Sequence, residues 1–513
     1  MPNSNKKQLL DLIHSLSKAE KRQFKIYTSR LGSNDNSKFV QLFNLLEKSK
    51  SYNETKILSK TDISKKQLPN VRGHLYQQLL KSLRLSPQLQ TTPLQIREQL
   101  DFATILYNKG LYRQSLGILE KVKKIALEVD EKTMAYEIVE FEKVIETQYI
   151  TRSLESRADN LAISARDLSI QNVLTSKLSN LSLQAYSFLL KNGYAKNESD
   201  YLKTKEYFEY HLPSYKNEYL GFREKLFLYM ARLYYALIIQ DFTSGYRYST
   251  KWVELFEENS KMKHAYPVHY LKGKNYLIES LFYLRYHSKF ISHLEELETA
   301  SFDDKLITNE NTRTLVFLYT RYNQINRHFL SGDFVEGLKD IHRIENELKE
   351  FQTKIDPHHL MVFYYKIACI YFGTGNHKAC IYNLDIIVNN KELEMRQDLL
   401  CYSRLLKLIA HFEDGQDQNL EELIKATFKF LIKMDDMHQV QAEIMVFLKK
   451  LKNILPSELT AAFKELHHNL KQLENHPYEK RSFLYLDIIS WLESKIQGKG
   501  IHLIMKEKAK NLR

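Results

Sequence analysis

Residues 363–390 read FYYKIACIYFGTGNHKACIYNLDIIVNN. Two apolar runs flank a Gly-Asn-His turn, and each repeats its apolar residues at the three- and four-residue spacing of a helix. Ala368 is small, Tyr371 stands three residues on, and Cys380, Leu384 and Ile387 carry the pattern onto a second helix. Small residues let two antiparallel helices come close, and the larger ones fill the groove to the next pair. The segment predicts a helix hairpin.

The register returns twice. Residues 102–122, FATILYNKGLYRQSLGILEKV, put Ala103, Leu106, Gly110, Tyr112, Ser115, Leu119 and Val122 at the matching positions. Residues 326–344, NRHFLSGDFVEGLKDIHRI, do so with Phe329, Gly332, Phe334, Gly337, Ile341 and Ile344. Weaker copies turn near Gly193, Asp241, Ser288 and Gly415, and a turn near Thr151-Arg152 fills the one gap. This pattern resembles the tetratricopeptide repeat over residues 94–450. Turns recur every roughly 40 to 48 residues against 34 for that family, so helices longer by one or two turns, or longer loops, are expected. The resemblance implies an all-α fold: a TPR-like α-solenoid of antiparallel helix hairpins over residues 91–455, with capping helices.

Composition agrees. Glycine (15 of 513 residues) and proline (9) are scarce, which disfavours β-rich and phosphate-loop folds that need glycine in tight turns. Hydrophobic residues at 43% and charged residues at 27% give an ordinary globular balance. Asp11 and His14 interrupt the apolar start, so no signal peptide is expected, and no run of about 18 apolar residues suggests a membrane span. Cys369, Cys380 and Cys401 lie in apolar helical stretches and read as buried free thiols, which fits a reducing cytoplasm. Abundant Lys, Asn, Ile and Tyr suggest an A+T-rich bacterial genome.

Charge is unevenly placed. Residues 1–90 hold 17 Lys and Arg against 6 Asp and Glu, a net +11, leaving +2 for the other 423 residues. These 90 residues do not fit the repeat and form the small N-terminal helical domain. A first helix carries Leu9, Leu12, Ile13 and Leu16, and a capping box, Ser17-x-x-Glu20, launches a second with Phe24, Tyr27 and Leu31 as its buried stripe. Lys18, Lys21, Arg22 and Lys25 cover the rest of that helix. After a polar loop, Gly32–Ser37, the segment 53–83 reads as a short helix, a turn and a longer helix with Lys65, Lys66 and Arg72 at its start. That spacing matches a helix-turn-helix, and Val71, Leu75, Leu79 and Leu83 give its last helix a core face. Pro87, Thr91, Thr92 and Pro93 mark a linker. The opening LIHSLSKAEKRQFKIY is similar to the starts of long helical proteins of Bacteroidota.

At the other end, Pro456 and Ser457 open a capping helix that Asn475–Pro477 closes, and residues 478–496 form another, completing a 456–500 cap. The basic 501–513, IHLIMKEKAKNLR, read first as a frayed terminus, with a short docking helix as the alternative.

Enzyme signatures are missing from the sequence: H-E-x-x-H, C-x-x-C, a Walker loop, G-x-G-x-x-G and G-x-S-x-G all fail to match. Adjacent His358-His359 point to different helix faces and read as surface. No cofactor and no metal is implied. Binding is the expectation instead. In the repeat family first-helix side chains line a groove for a protein or peptide partner, and by register these are Tyr322, Asn326, Phe329, Tyr365, Cys369 and Phe372. The Lys/Asn/Arg set with which some family members hold a terminal carboxylate is not reproduced, so an aromatic, weakly charged groove for an apolar or helical ligand is expected. Most of the 33 tyrosines read as half-buried spacers between hairpins. The alternative function puts nucleic acid or the ribosome on Lys18, Lys21, Arg22, Lys25, Lys65, Lys66 and Arg72, with the solenoid sensing a partner.

Overall fold

The computed structural model describes residues 2–32, 37–86, 91–148, 157–215, 220–351, 354–390, 397–415, 420–434, 437–451, 454–455, 457–480, 482–483 and 487–511. Pro87, Thr151-Arg152, Pro456 and the middle of the Gly32–Ser37 loop lie outside them. The fold is all-α: helices joined by short turns, with no strand among the described residues.

The chain divides into two compact units, Met1–Ile118 and Leu119–Arg513. Unit 1 begins with α1 (Pro2–Ser15), α2 (Lys18–Arg30), α3 (Lys38–Glu47), α4 (Glu54–Lys60) and α5 (Leu68–Arg84). Their core joins Leu9, Ile13, Phe24, Phe43, Leu75 and Leu79. The capping box forms as expected, with Glu20 N–H donating to Ser17 Oγ at 3.2 Å and Ser17 N–H to Glu20 Oε2 at 2.7 Å. Leu31 departs from expectation. The helix ends at Arg30, so Leu31 is exposed and Thr28 takes the buried position beside Phe24. Thr91 to Pro93 start a helix, α6 (Thr92–Asn108), with proline in the first turn where its missing N–H is harmless. The next helix, α7 (Tyr112–Glu128), turns back after Gly110, and Ser115 Oγ donates to Ala103 O at 2.8 Å. That bond is the close approach the small residues imply.

Unit 2 continues with α8 (Lys132–Gln148), α9 (Arg157–Asn192), α10 (Glu198–His211), α11 (Phe222–Ile238), α12 (Phe242–Glu258) and α13 (Ser260–Ala265). There follow α14 (Pro267–Tyr283), α15 (His287–Ala300), α16 (Glu310–Ser331), α17 (Phe334–Phe351), α18 (Pro357–Gly373) and α19 (His377–Val388). The last six are α20 (Gln397–Glu413), α21 (Leu420–Lys433), α22 (Gln439–Lys450), α23 (Leu459–Leu473), α24 (Ile488–Gln497) and α25 (Ile501–Asn511). Consecutive helices pack on one another, and α14, α16, α18 and α20, each the first of a hairpin, also pack side by side, as in a solenoid. Gly273 sets the contact of α14 with α12: a Cβ there would stand 2.9 Å from the indole of the buried Trp252.

One turn chemistry recurs. The N–H of Leu111, Glu131, Asp241, Tyr286 and Asn376 each donates to the carbonyl five residues back at 2.8–3.0 Å, a Schellman closure. The residue before each donor is left-handed, but only Gly110 and Gly375 are glycines. Asp130, Gln240 and Arg285 hold φ of 56°, 59° and 55°, at a cost of roughly 1–2 kcal/mol each. Two of them are held by long-range bonds: Asp130 accepts from Arg223 N–H at 2.8 Å, and Gln240 Nε2 donates to Ala195 O at 3.3 Å.

Unit 2 also curls until its two ends meet. Helix α20 touches α9, with Asp398 against Gly193. Lys196 Nζ donates to Met434 O at 3.4 Å, and Tyr478 Oη donates to Glu198. Within the segment read as the second capping helix, Ser482 and Phe483 are helical and α24 runs Ile488–Gln497. Glu479 accepts from Gln439 N–H at 3.0 Å and Val440 N–H at 3.1 Å, capping α22 from a distance. The C-terminal segment is not frayed. Helix α25 lies against α16 and α24, burying Ile504 and Ala509, with Lys506 3.4 Å from Asp333 and Lys508 2.8 Å from Glu493. Its backbone passes Gly332 so closely that a Cβ there would stand 2.6 Å from Met505 O.

Candidate ligand-binding site

The curl of unit 2 encloses a cavity of about 610 Å3. Three parallel first helices present one face each to it. On α14 the lining residues include Lys272, Tyr276, Glu279 and Tyr283; on α16 they include Tyr319, Tyr322 and Phe329; on α18 they include His358, Val362, Lys366, Cys369 and Phe372. The three- and four-residue steps keep each set on a single stripe. Helix α25 supplies Ile501, Met505, Lys508 and Ala509 at the end near Phe334 and Phe372.

Of the residues expected on the inner face, Tyr322, Phe329, Tyr365, Cys369 and Phe372 line this cavity. Asn326 stands behind it, fully buried. It belongs to a directed ladder of amides across the three helices. Lys366 Nζ donates to Asn326 Oδ1 at 2.7 Å, Asn326 Nδ2 to Asn323 Oδ1 at 3.0 Å, and Asn323 Nδ2 to Asn275 Oδ1 at 2.8 Å. Tyr322 Oη donates to Glu279 Oε1 at 2.7 Å, and Tyr194 Oη to Tyr283 Oη at 3.1 Å.

Two expectations are corrected. His358 is buried and His359 only partly exposed: both line the cavity, their rings 5.1 Å apart, since the first turn of α18 opens onto it. Nor is the inner face weakly charged. Lys272 and Lys366 stand on it with no carboxylate in ion-pair reach among the described residues. Lys272 Nζ lies 4.0 Å from the centroid of the Tyr186 ring, and Lys366 Nζ 4.7 Å from that of Tyr322. Both keep some accessible surface yet are enveloped by protein, because the space they reach is the cavity. Burial pushes both ammoniums down to about 8, with Asp356 opposing this for Lys272 and Glu279 for Lys366. The same burial pushes the Cys369 thiol up to about 12, so it is inert as a nucleophile. All three cysteines are free thiols. Among the described residues no cluster of His, Cys, Asp or Glu is arranged to hold a metal ion, and no helix is long and apolar enough to cross a membrane.

In unit 1 the seven basic residues separate into two kinds. Lys25 pairs with Glu47 at 3.1 Å, Lys21 is 4.0 Å from the same carboxylate, and Arg72 is half-buried near Glu54. Lys18, Arg22, Lys65 and Lys66 are exposed and make no ion pair among the described residues. Short α4 rests on α3, while α5 packs on α2 and α3.

The lysine pair gives a test of the site's electrostatics. Lys272 binds its proton less tightly in the folded chain (about 8) than the ordinary 10.4 of an unfolded lysine. The unfolded chain therefore holds more protons between these values, so the penalty is complete below pH 8 and is relieved as pH rises. Lys272→Met should stabilise the ligand-free chain at pH 7 by roughly 1–3 kcal/mol, with the advantage shrinking between pH 8 and 10. Thermal unfolding across that range measures it, and a variant less stable than the parent at pH 7 contradicts it. Set beside known proteins, the chain matches no family model, no curated protein and no solved structure.

Proposed function

We propose that the protein is a non-enzymatic, cytoplasmic interaction scaffold, its hairpins diverged members of the tetratricopeptide kind and unit 2 its binding body. One observation carries this: the inner face already holds a helix of the same chain. Helix α25 packs Ile504, Met505 and Ala509 inward and sets Lys506 and Lys508 on the acidic Asp333 and Glu493. An amphipathic helix with lysines at its flanks is thus an occupant this face accommodates, the pattern of helix-in-groove recognition. A partner helix of that chemistry would take the same place beside Tyr322, Phe329, Tyr365 and Phe372. A photo-crosslinking residue at Phe329 in the full chain and in a chain ending at Gly498 tests the idea. The scaffold reading expects one discrete protein adduct from native cytoplasm, stronger without α25; no adduct with either chain contradicts it.

A second reading is favoured by four of the exposed cations of unit 1 that make no ion pair among the described residues. In it Lys18, Arg22, Lys65 and Lys66 contact the phosphates of DNA or RNA, alone or on the ribosome. Retardation of duplex DNA by the full chain should then weaken steeply with salt and be lost when all four are changed to Glu. Unchanged retardation in that variant removes these residues from the contact.

A further inference from the structure

Unit 2 buries lysines in two different ways. Lys132 and Lys274 each reach two carboxylates: Lys132 Nζ lies 2.6 Å from Glu224 and 3.2 Å from Asp130, and Lys274 Nζ bonds Glu296 and lies 3.7 Å from Glu257. These two pairs show the usual way a fold neutralises a buried ammonium. Lys272 and Lys366 have no such partner among the described residues, and both line the cavity. Lys366 at least donates to Asn326; Lys272 makes no hydrogen bond among the described residues and rests only on the faces of Tyr186, Tyr234 and Tyr276, at 4.0, 5.5 and 6.0 Å. A buried ammonium without a counter-charge costs stability that an apolar side chain of the same volume would not. Aromatic faces offset part of that cost and leave the donors free to point elsewhere.

The cavity grades in character along its length. From Lys272 to Tyr283 the α14 wall runs about 16 Å at the helical rise. Near Lys272 stand Tyr186, Tyr319 and His358; farther along come Phe282, Phe329 and Phe372, and then Met505 of α25. Glu279 stands between, bonded by Tyr322 and close enough to Lys366 to raise its proton affinity. A second anion beside Lys366 would face Glu279, whereas a neutral hydroxyl or amide would find both a donor and an acceptor. The volume is that of an ordinary small-ligand site.

We propose that the cavity of unit 2 is a binding site for a small amphipathic monocarboxylate, its anionic head on Lys272 and its apolar body extending past Phe282 toward Phe329 and Phe372. This goes beyond the scaffold function and does not depend on it, because the ligand lies inside the wall that α25 helps to close. The bound carboxylate supplies the counter-charge that Lys272 lacks.

Isothermal titration of the full chain with dodecanoate, dodecanol and dodecyltrimethylammonium, each below its micellar concentration at pH 7, tests the proposal. Phenylbutyrate run in parallel tells an aromatic body from an aliphatic one. The expected result is one carboxylate bound per chain, at least tenfold tighter than the alcohol or the cation, with that preference lost in Lys272→Met. Lys272→Gln serves should the methionine variant not fold. Equal affinity for dodecanoate and dodecanol, no binding of either carboxylate, or undiminished carboxylate binding in the folded variant overturns the proposal. So does failure of both variants to fold, which would make Lys272 a structural cation.

Discussion

Taking a lysine ammonium out of water requires something in return, and the interior of unit 2 is arranged around that requirement. Where the ammonium only braces helices, the return is a carboxylate from another helix, as with Lys132 and Glu224. Where it faces the cavity, the return is partial: ring faces, an amide oxygen, and a depressed proton affinity at Lys272 and Lys366. Lys272 is the clearer of the two, since the described part of the structure gives it rings alone. An unreturned charge in a protein interior is a physical reason to look for a ligand.

The cavity exists because the stack of hairpins closes. Longer helices than the family repeat, such as the 22 residues of α16, give each hairpin a wide inner face. The contact of α20 with α9 and the seating of α25 on α16 turn that face from an open groove into an enclosed space. Small residues at the contacts make the closure possible. Gly193 admits Asp398 of α20, and Gly332 admits the α25 backbone. The proposed scaffold function and the proposed ligand site therefore rest on one feature, the inner face, but ask different things of it.

Much of the fold was legible in the sequence because hairpin packing is local. Ala103 and Ser115 are close in the chain and bonded, and the small Ala368 and Cys380 are both buried on the packed pair α18 and α19. Turns closed by glycine were plain. Those at Gln240 and Arg285 are read only weakly, near Asp241 and Ser288, and that at Asp130 is not read, since no permissive residue marks them and long-range bonds to Asp130 and Gln240 hold the backbone. The aromatic half of the site followed from register, which placed Tyr322, Phe329, Tyr365 and Phe372. Its charged half did not. A single lysine on an amphipathic helix reads as solvent-facing, and only the curl of the whole unit takes Lys272 and Lys366 inside. The C-terminal helix was masked in the same way: the lysines of 501–513 hide the spacing of Ile501, Ile504, Met505 and Ala509.

The charge of unit 1 and the cavity of unit 2 are separate properties, and the cavity carries the more specific claim. A crystal of the full chain grown with ω-bromododecanoate tests that claim most directly, because bromine marks the far end of the ligand by its anomalous scattering. The carboxylate on Lys272 and the bromine between Phe329 and Phe372 is the predicted result. Bromine on the outer surface, or a carboxylate that leaves Lys272 unpaired, would contradict it.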